Sequence, residues 1–357
     1  MDGVTADPGI SLDELRLAAR NHAMPLEALR WPITPVGLHY LLIHYDVPLV
    51  DPAAFQLEIG GAVGHPLALT LDDLRDRPAV EVAVTMECAG NGRALLDPRP
   101  VSQPWLTEAV GTARWRGVPL ATLLEEASPA TGAVEVVFSG LDRGVEGGVD
   151  QRYERSLPLG EALEAGCVLA YEMNGSPLPP QHGFPLRLVV PGWYGMTNVK
   201  WLASITLSEE PFTGYQVATG YRVRQTEDED GRPVTRMRPR SLMVPPGIPD
   251  FLTRDRVVER TPVLLEGRAW SGRAPVVRVE VSQDGGETWA DAELTRELHD
   301  RLAWVGWSFR WEPPAQGASI LCCRATDETG ETQPLEPEWN LGGYENNAVQ
   351  RVPVVVR

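Results

Sequence analysis

Hydrophobic and polar positions along the chain fall into two patterns, and the change between them divides the sequence. In the first part, short apolar runs alternate with capped helical segments. FQLEIGG, VEVAVTM, AVEVVFSG, PLRLVVPG and VKWLASITLS read as strands, each with β-branched or aromatic residues bounded by turn formers. SLDELRLAARN reads as a helix capped by Ser11 with acidic residues in its first turn, and TLDDLRD, PLATLLEEA and SLPLGEALEAG read as further short helices. Regular strand–helix alternation of a doubly wound fold is missing, so this part is a mixed α+β domain rich in loops. After Tyr221 comes TEDEDGRPVTRMRPR, charged and with little to bury, which reads as a loop or linker. Beyond it almost every segment alternates as a half-buried strand does. RVVERTPVLLEGRAW, PVVRVEVSQDGGETWADAEL, WVGWSFRWEPP and ASILCCRATDETGE are divided by turns such as Asp284-Gly285-Gly286. This predicts an immunoglobulin-like β-sandwich, with domains at residues 1–238 and 239–357.

Composition narrows the function. A chain of 357 residues exceeds one ordinary core, and 43% hydrophobic with 23% charged residues is the make-up of a folded protein. A net charge of -17 argues against nucleic acid, because phosphate would be repelled by most of the surface. No basic n-region with an apolar core opens the chain, and no apolar run is long enough to span a bilayer, so a cytoplasmic setting without membrane is expected. Cys88, Cys167, Cys322 and Cys323 have no CxxC spacing, which excludes a zinc ribbon and disfavours a disulfide framework. Cys322 and Cys323 are neighbours in one predicted strand and read as structural.

The chemistry concentrates in four places. TMECAGNGRALL, residues 85–96, sets Cys88 in a small-residue turn at the end of a strand with Asn91 and Arg93 behind it. A thiol so placed, with a cation nearby, is expected to have a lowered pKa, as a nucleophile or metal ligand requires. TPVGLHYLLIHYDVPLVD (34–51) carries His39 and His44, and FSGLDRG (138–144) puts Asp142 at a strand end. NGSPLPPQHGFPLRLVVPGWYGMTNVKW (174–201) packs His182, Arg187 and Lys200 among glycines and prolines. Cations and donors in loops at strand ends suit an anionic, phosphate-bearing ligand. GxGxxG, GxxxxGK[ST] and GxSxG patterns are absent, so a dinucleotide fold, a P-loop and a serine hydrolase are not indicated.

TMECAGNGR resembles the cysteine motif of the sulfite oxidase family of molybdenum enzymes, where CAGNRR is common. The cofactor strand at 34–51, the long 169–202 stretch, and VEVSQDGGETWADAEL with WNLGGYENNAVQRV in the second domain extend the resemblance over nearly the whole chain. It implies a molybdopterin-binding domain followed by a dimerisation domain, one molybdenum–pyranopterin cofactor per chain, and Cys88 as the protein ligand to molybdenum. Arg93, Trp105 and Tyr221 would form the substrate pocket, with Tyr221 beside the metal. Tyr40, Leu41, Leu42, Ile43, His44, Asp142, His182, Arg187, Asn198, Val199 and Lys200 would hold the pterin and its phosphate. The implied reaction is oxygen-atom transfer, sulfite to sulfate. Electrons would pass to an external cytochrome or to dioxygen, since no haem domain is visible in the sequence. A homodimer is implied too. The pattern departs from the family at three cations: Leu42 stands at one expected arginine, Gly342 at another, and Gly195-Met196-Thr197 replaces a GAR motif. Arg222 or Arg224, beside Tyr221, are candidates to compensate. A sulfoxide, a sulfane species or nitrate is the rival substrate, and a cofactor-binding protein without sulfite activity the rival class.

Overall fold

The computed structural model describes residues 9–314 and 316–357. The expected helices form as short elements: Leu12–Ala18 (α1), Leu71–Arg75 (α2), Leu120–Ala127 (α3) and Leu159–Glu164 (α4). The caps expected for α3 and α4 are not made, because Pro119 and Pro158 precede them and offer no side-chain acceptor. In α1 the Ser11 hydroxyl accepts from the backbone of Glu14 and the Glu14 carboxylate accepts from Ser11; Thr70 and Asp73 repeat this reciprocal cap in α2.

Ten strands build the first domain: Gln56–Gly61 (β1), Leu67–Thr70 (β2), Val80–Glu87 (β3), Val110–Pro119 (β4), Glu135–Glu146 (β5), Val149–Pro158 (β6), Val168–Met173 (β7), Ser176–Pro177 (β8), Arg187–Val189 (β9) and Leu202–Ser208 (β10). One sheet runs β2-β1-β10-β5-β6 and is antiparallel except for β1 beside β10. The other runs β3-β4-β7-β8, with β9 on β7. Leu57, Ile59, Phe138, Leu169, Leu188 and Ile205 join the apolar faces of α2–α4 in the main core of this domain.

The second domain is a sandwich. A four-stranded sheet of Arg240–Met243, Val263–Trp270, Val305–Trp311 and Glu293–Thr295 faces a six-stranded sheet that includes Val276–Ser282, Gly317–Asp327 and Gln350–Val356. Trp307, Trp311, Leu321 and Cys323 share its core. Cys322 and Cys323 sit in one strand, buried and unpaired.

One expectation needs correction. Residues 226–231 do form an exposed charged loop, but the rest of the supposed linker is docked. Val234 and Met237 are fully buried between the domains, and Arg238 makes ion pairs with Glu331 and Glu338 at 2.9 and 3.0 Å. Two apolar side chains in a charged run were enough to anchor it.

The strand that ends at Cys88 is fixed from the second domain. Glu87, 1% exposed, accepts from Arg240 Nη1 at 2.8 Å, from Trp270 Nε1 at 2.8 Å and from Asn91 Nδ2 at 2.9 Å. The turn then closes through Asn91 N to Cys88 O at 3.0 Å, and Gly92, with φ of 90°, takes a conformation that strains any other residue.

Candidate functional site

The end of β3, the middle of β5, β6 and the start of β9 converge with the 39–44 segment on one cavity; Asp142, expected at a strand end, lies inside β5 where its pairing with β6 is irregular. It holds about 670 Å³ of space free of protein atoms, open solvent at its mouth included. Of the residues singled out in the sequence, Tyr40, Leu41, Leu42, His44, Cys88, Asp142, His182, Arg187, Asn198, Lys200 and Tyr221 line it. Ile43, Arg93, Trp105 and Val199 do not. Val199 belongs to the main core, and Ile43 is tied by its backbone N–H to Asn21 Oδ1 at 2.7 Å. Asn21 thus underlies the cavity-lining segment without lining the cavity itself. Tyr153, Met86 and His39 line the cavity without having been assigned to it. His39 was legible only as one of two histidines near an apolar run. Tyr153 lies on β6, where the sequence offers no motif.

Cys88 is 8% exposed. Burial raises its thiol pKa, and the Arg93 charge, the Gly90 backbone and the Trp105 indole only oppose that shift. The lowered value expected from sequence is therefore corrected: desolvation outweighs the neighbouring cation. Arg93 donates from Nε to Gly342 O at 2.9 Å and from Nη1 to Gln103 O at 3.2 Å, and stands over the Tyr344 ring at 5.2 Å. Trp105 is buried.

The opposite wall is cationic. Arg187, 5% exposed, donates to His182 O at 3.0 Å and Asn198 O at 3.2 Å and stacks 4.6 Å over Trp115. Lys200 Nζ donates to Leu42 O at 2.7 Å and Gln181 O at 3.2 Å. Burial lowers both, Arg187 to about 10, and the Arg187 charge lowers Lys200 further. Burial pushes Asp142 up against the pull of Lys200 and His44. It pushes His39 down to about 4 and His182 to about 2, so both rings are neutral at pH 7. The two rings meet edge to face at 5.6 Å. His44 Nε2 lies 2.8 Å from Glu146 Oε2, which also accepts from Tyr45 and Gln216. Arg222 and Arg224 do not line the cavity. Arg222 donates to the carbonyls of Asp230 and Gly231, and Arg224 to Glu227 O at 3.5 Å.

The cavity contains unmet hydrogen-bonding capacity. His39 Nε2, Arg187 Nε and Asp142 Oδ1 are buried without partners. Orphaned buried polar atoms are rare in folded proteins and point to a missing ligand. A set of donors and cations with one acceptor carboxylate fits an anionic phosphate carried on an amino-substituted heterocycle. A Cβ at Gly195 would collide with the Tyr40 hydroxyl, so the wall there admits no side chain. Among the described residues no group of three or more His, Cys, Asp or Glu side chains is placed to hold a metal. The donor set therefore fits a metal carried in on an organic ligand, with one thiolate added from the protein.

Comparison with known proteins agrees. Residues 44–216 match the oxidoreductase molybdopterin binding domain family and residues 233–357 the Mo-co oxidoreductase dimerisation domain family. The chain is 35% identical to sulfite oxidase of Gallus gallus over 341 residues, covering 89% of this chain and 72% of that protein. It is 39% identical to the mitochondrial sulfite oxidase of Rattus norvegicus, covering 91% of this chain and 62% of that protein. An NADH nitrate reductase of Brassica napus is 33% identical, with 90% of this chain covered and 38% of the plant protein. The fold also matches the sulfane dehydrogenase SoxCD of Paracoccus pantotrophus, with a TM-score of 0.80, 25% identity, and 98% and 92% of the two chains covered. The chain spans less than two thirds of the length of the mitochondrial sulfite oxidases it matches, and it carries their class of molybdopterin binding domain. It belongs to the sulfite oxidase family.

Proposed function

We propose that the chain oxidises sulfite to sulfate, with its electrons passed to an external acceptor such as a cytochrome or dioxygen. The observation that carries this reading is the cavity itself, where the Cys88 thiol and Tyr221 share a space with unsatisfied donors and cations. When bound, the molybdenum–pyranopterin supplies the two-electron couple for oxygen-atom transfer. Cys88 would hold the metal as a thiolate, its turn fixed by Glu87 and Asn91. Arg187, Lys200, His182 and Asn198 would hold the phosphate end, and Asp142 would accept from the heterocycle. Burial raises the Tyr221 hydroxyl well above its ordinary value, so it stays protonated and donates to the substrate oxyanion. Met86, Leu42 and Met196 line the remaining wall and limit water.

A second reading keeps the cofactor and changes the substrate. Leu42 lines the cavity where the family pattern expects charge, which favours a less charged sulfane or sulfoxide, or nitrate. An anaerobic sulfite titration of enzyme with measured molybdenum content separates the two. Stoichiometric reduction at micromolar sulfite supports the first. Bound molybdenum with no reduction at millimolar sulfite rejects it and sends the search to the other substrates. The match to the dimerisation family supports a homodimer, which sedimentation tests directly. No helix among the described residues is long and apolar enough to cross a membrane. We place the enzyme in the cytoplasm, a proposal supported by its four unpaired cysteines.

A further inference from the structure

Leu42, Thr197 and Gly342 leave open what balances an anionic substrate near Cys88. A guanidinium from a different element lies close by. Arg155 is on β6, is 3% exposed, and its guanidinium carbon stands 5.3 Å from the centre of the Tyr221 ring. Tyr221 packs on Tyr344 with ring centres 5.3 Å apart, and Arg93 in turn stands over Tyr344 at 5.2 Å. Guanidinium, tyrosine, tyrosine and guanidinium therefore follow one another, and Tyr221 lines the same cavity as Cys88.

Neither cation is neutralised. Aromatic rings attract guanidinium but carry no net charge. Arg155 Nη1 donates to Gln216 O, and Arg93 donates only to the carbonyls of Gly342 and Gln103. Neither has an ion pair among the described residues, although the chain pairs its equally buried Arg240 with Glu87. An unpaired buried guanidinium is costly, and an anion brought to it recovers that cost.

We propose that Arg155 is a binding residue for the substrate and product oxyanion, acting with Arg93 around the Tyr221–Tyr344 pair in place of the cations absent at Leu42, Thr197 and Gly342. The proposal rests on the oxyanion reading given above. It assigns charge to a strand that carries none of the family's motif residues.

The test uses molybdenum-loaded enzyme, with sulfate as the equilibrium probe and sulfite as the kinetic one. Arg155→Gln is expected to raise the sulfate dissociation constant, by calorimetry, about tenfold to a hundredfold. KM for sulfite should rise in parallel while kcat stays within about threefold. Arg155→Lys should recover part of the sulfate affinity, since it keeps the charge and loses the planar fork. A sulfate dissociation constant within about twofold of wild type in Arg155→Gln, with molybdenum content unchanged, overturns the proposal. Wild type that binds no sulfate also overturns it. Wild type that binds sulfate but is not reduced by sulfite removes the sulfite reading alone, and the variants still decide on Arg155. If Arg155→Gln loses its molybdenum, Arg155→Lys carries the decision: weaker sulfate binding upholds the proposal and unchanged binding ends it.

Discussion

Arg240 and Arg187 are both buried beside the Cys88 strand, and they serve opposite ends. Arg240 is 1% exposed and pairs with Glu87 at 2.8 Å, while also reaching Asn346 O at 2.8 Å. Arg187 is 5% exposed and finds only carbonyls, the Met86 sulfur and the Trp115 ring. Both leave Nε without a partner, so a single orphaned nitrogen does not tell them apart. Charge balance does. Arg240, with its carboxylate, clamps the two domains, whereas Arg187, without one and lining the cavity, keeps a charge that an anion can meet.

The first way to break this comparison is to remove the clamp's anion. Glu87→Gln leaves Arg240 charged, buried and unpaired, which is expected to cost about 3–5 kcal/mol in urea unfolding. It also weakens the acceptor for Trp270 and Asn91, so the Cys88 turn loosens. A loss below about 1 kcal/mol would mean that water reaches the pair and that its burial is not what joins the domains.

The next effect is on pH dependence. His39 in the cofactor-free protein has its pKa pushed down to about 4 by burial, against an ordinary 6.5. Between those values the unfolded chain binds a proton that the fold refuses, so stability falls as pH drops from 6.5 towards 4. The total is about 3 kcal/mol from this ring. His39→Gln should flatten the stability slope in that window by about 1.4 kcal/mol per pH unit relative to wild type. Superimposable slopes would show that the folded protein takes up the proton on His39.

Arg187→Met should be milder to the fold than Glu87→Gln. It deletes the charge with its desolvation cost and leaves two carbonyls short of a donor, for about 1–2 kcal/mol. Its larger consequence is loss of molybdenum and pterin from the purified protein, measured by metal and pterin assay. Full cofactor content in a stable Arg187→Met would mean that this arginine is structural, as Arg240 is.

What was legible in the sequence follows the range of the interactions. Ser11–Glu14 and Thr70–Asp73 lie three residues apart, so both helix starts could be read directly. The Cys88 turn was readable because small residues and an apolar run define it locally. Glu87 and Arg240 are 153 residues apart, and no local pattern joins them. Arg155 lies in none of the sequence motifs, and only the packing of Tyr221 against it marks an inward position. The Cys88 thiol was misjudged because a sequence displays a neighbouring cation but not the depth of burial that outweighs it. Val234 and Met237 were lost inside a charged run whose average hid them.

The smallest expected effect sharpens the comparison most. Arg224 stands three residues from Tyr221 in sequence, and proximity along the chain made it a candidate for the missing pocket charge. Its side chain instead turns to Glu227 O on a partly exposed segment, where water already solvates its charge. A solvated guanidinium gains little by receiving an anion, because it gives up hydration to do so. Arg224→Gln is therefore expected to leave the sulfate dissociation constant and the sulfite KM within about twofold of wild type. A tenfold or greater loss would mean that this segment swings its charge into the cavity when an anion arrives. Unpaired burial would then no longer identify the binding arginines, and the distinction drawn between Arg240 and Arg187 would fail with it.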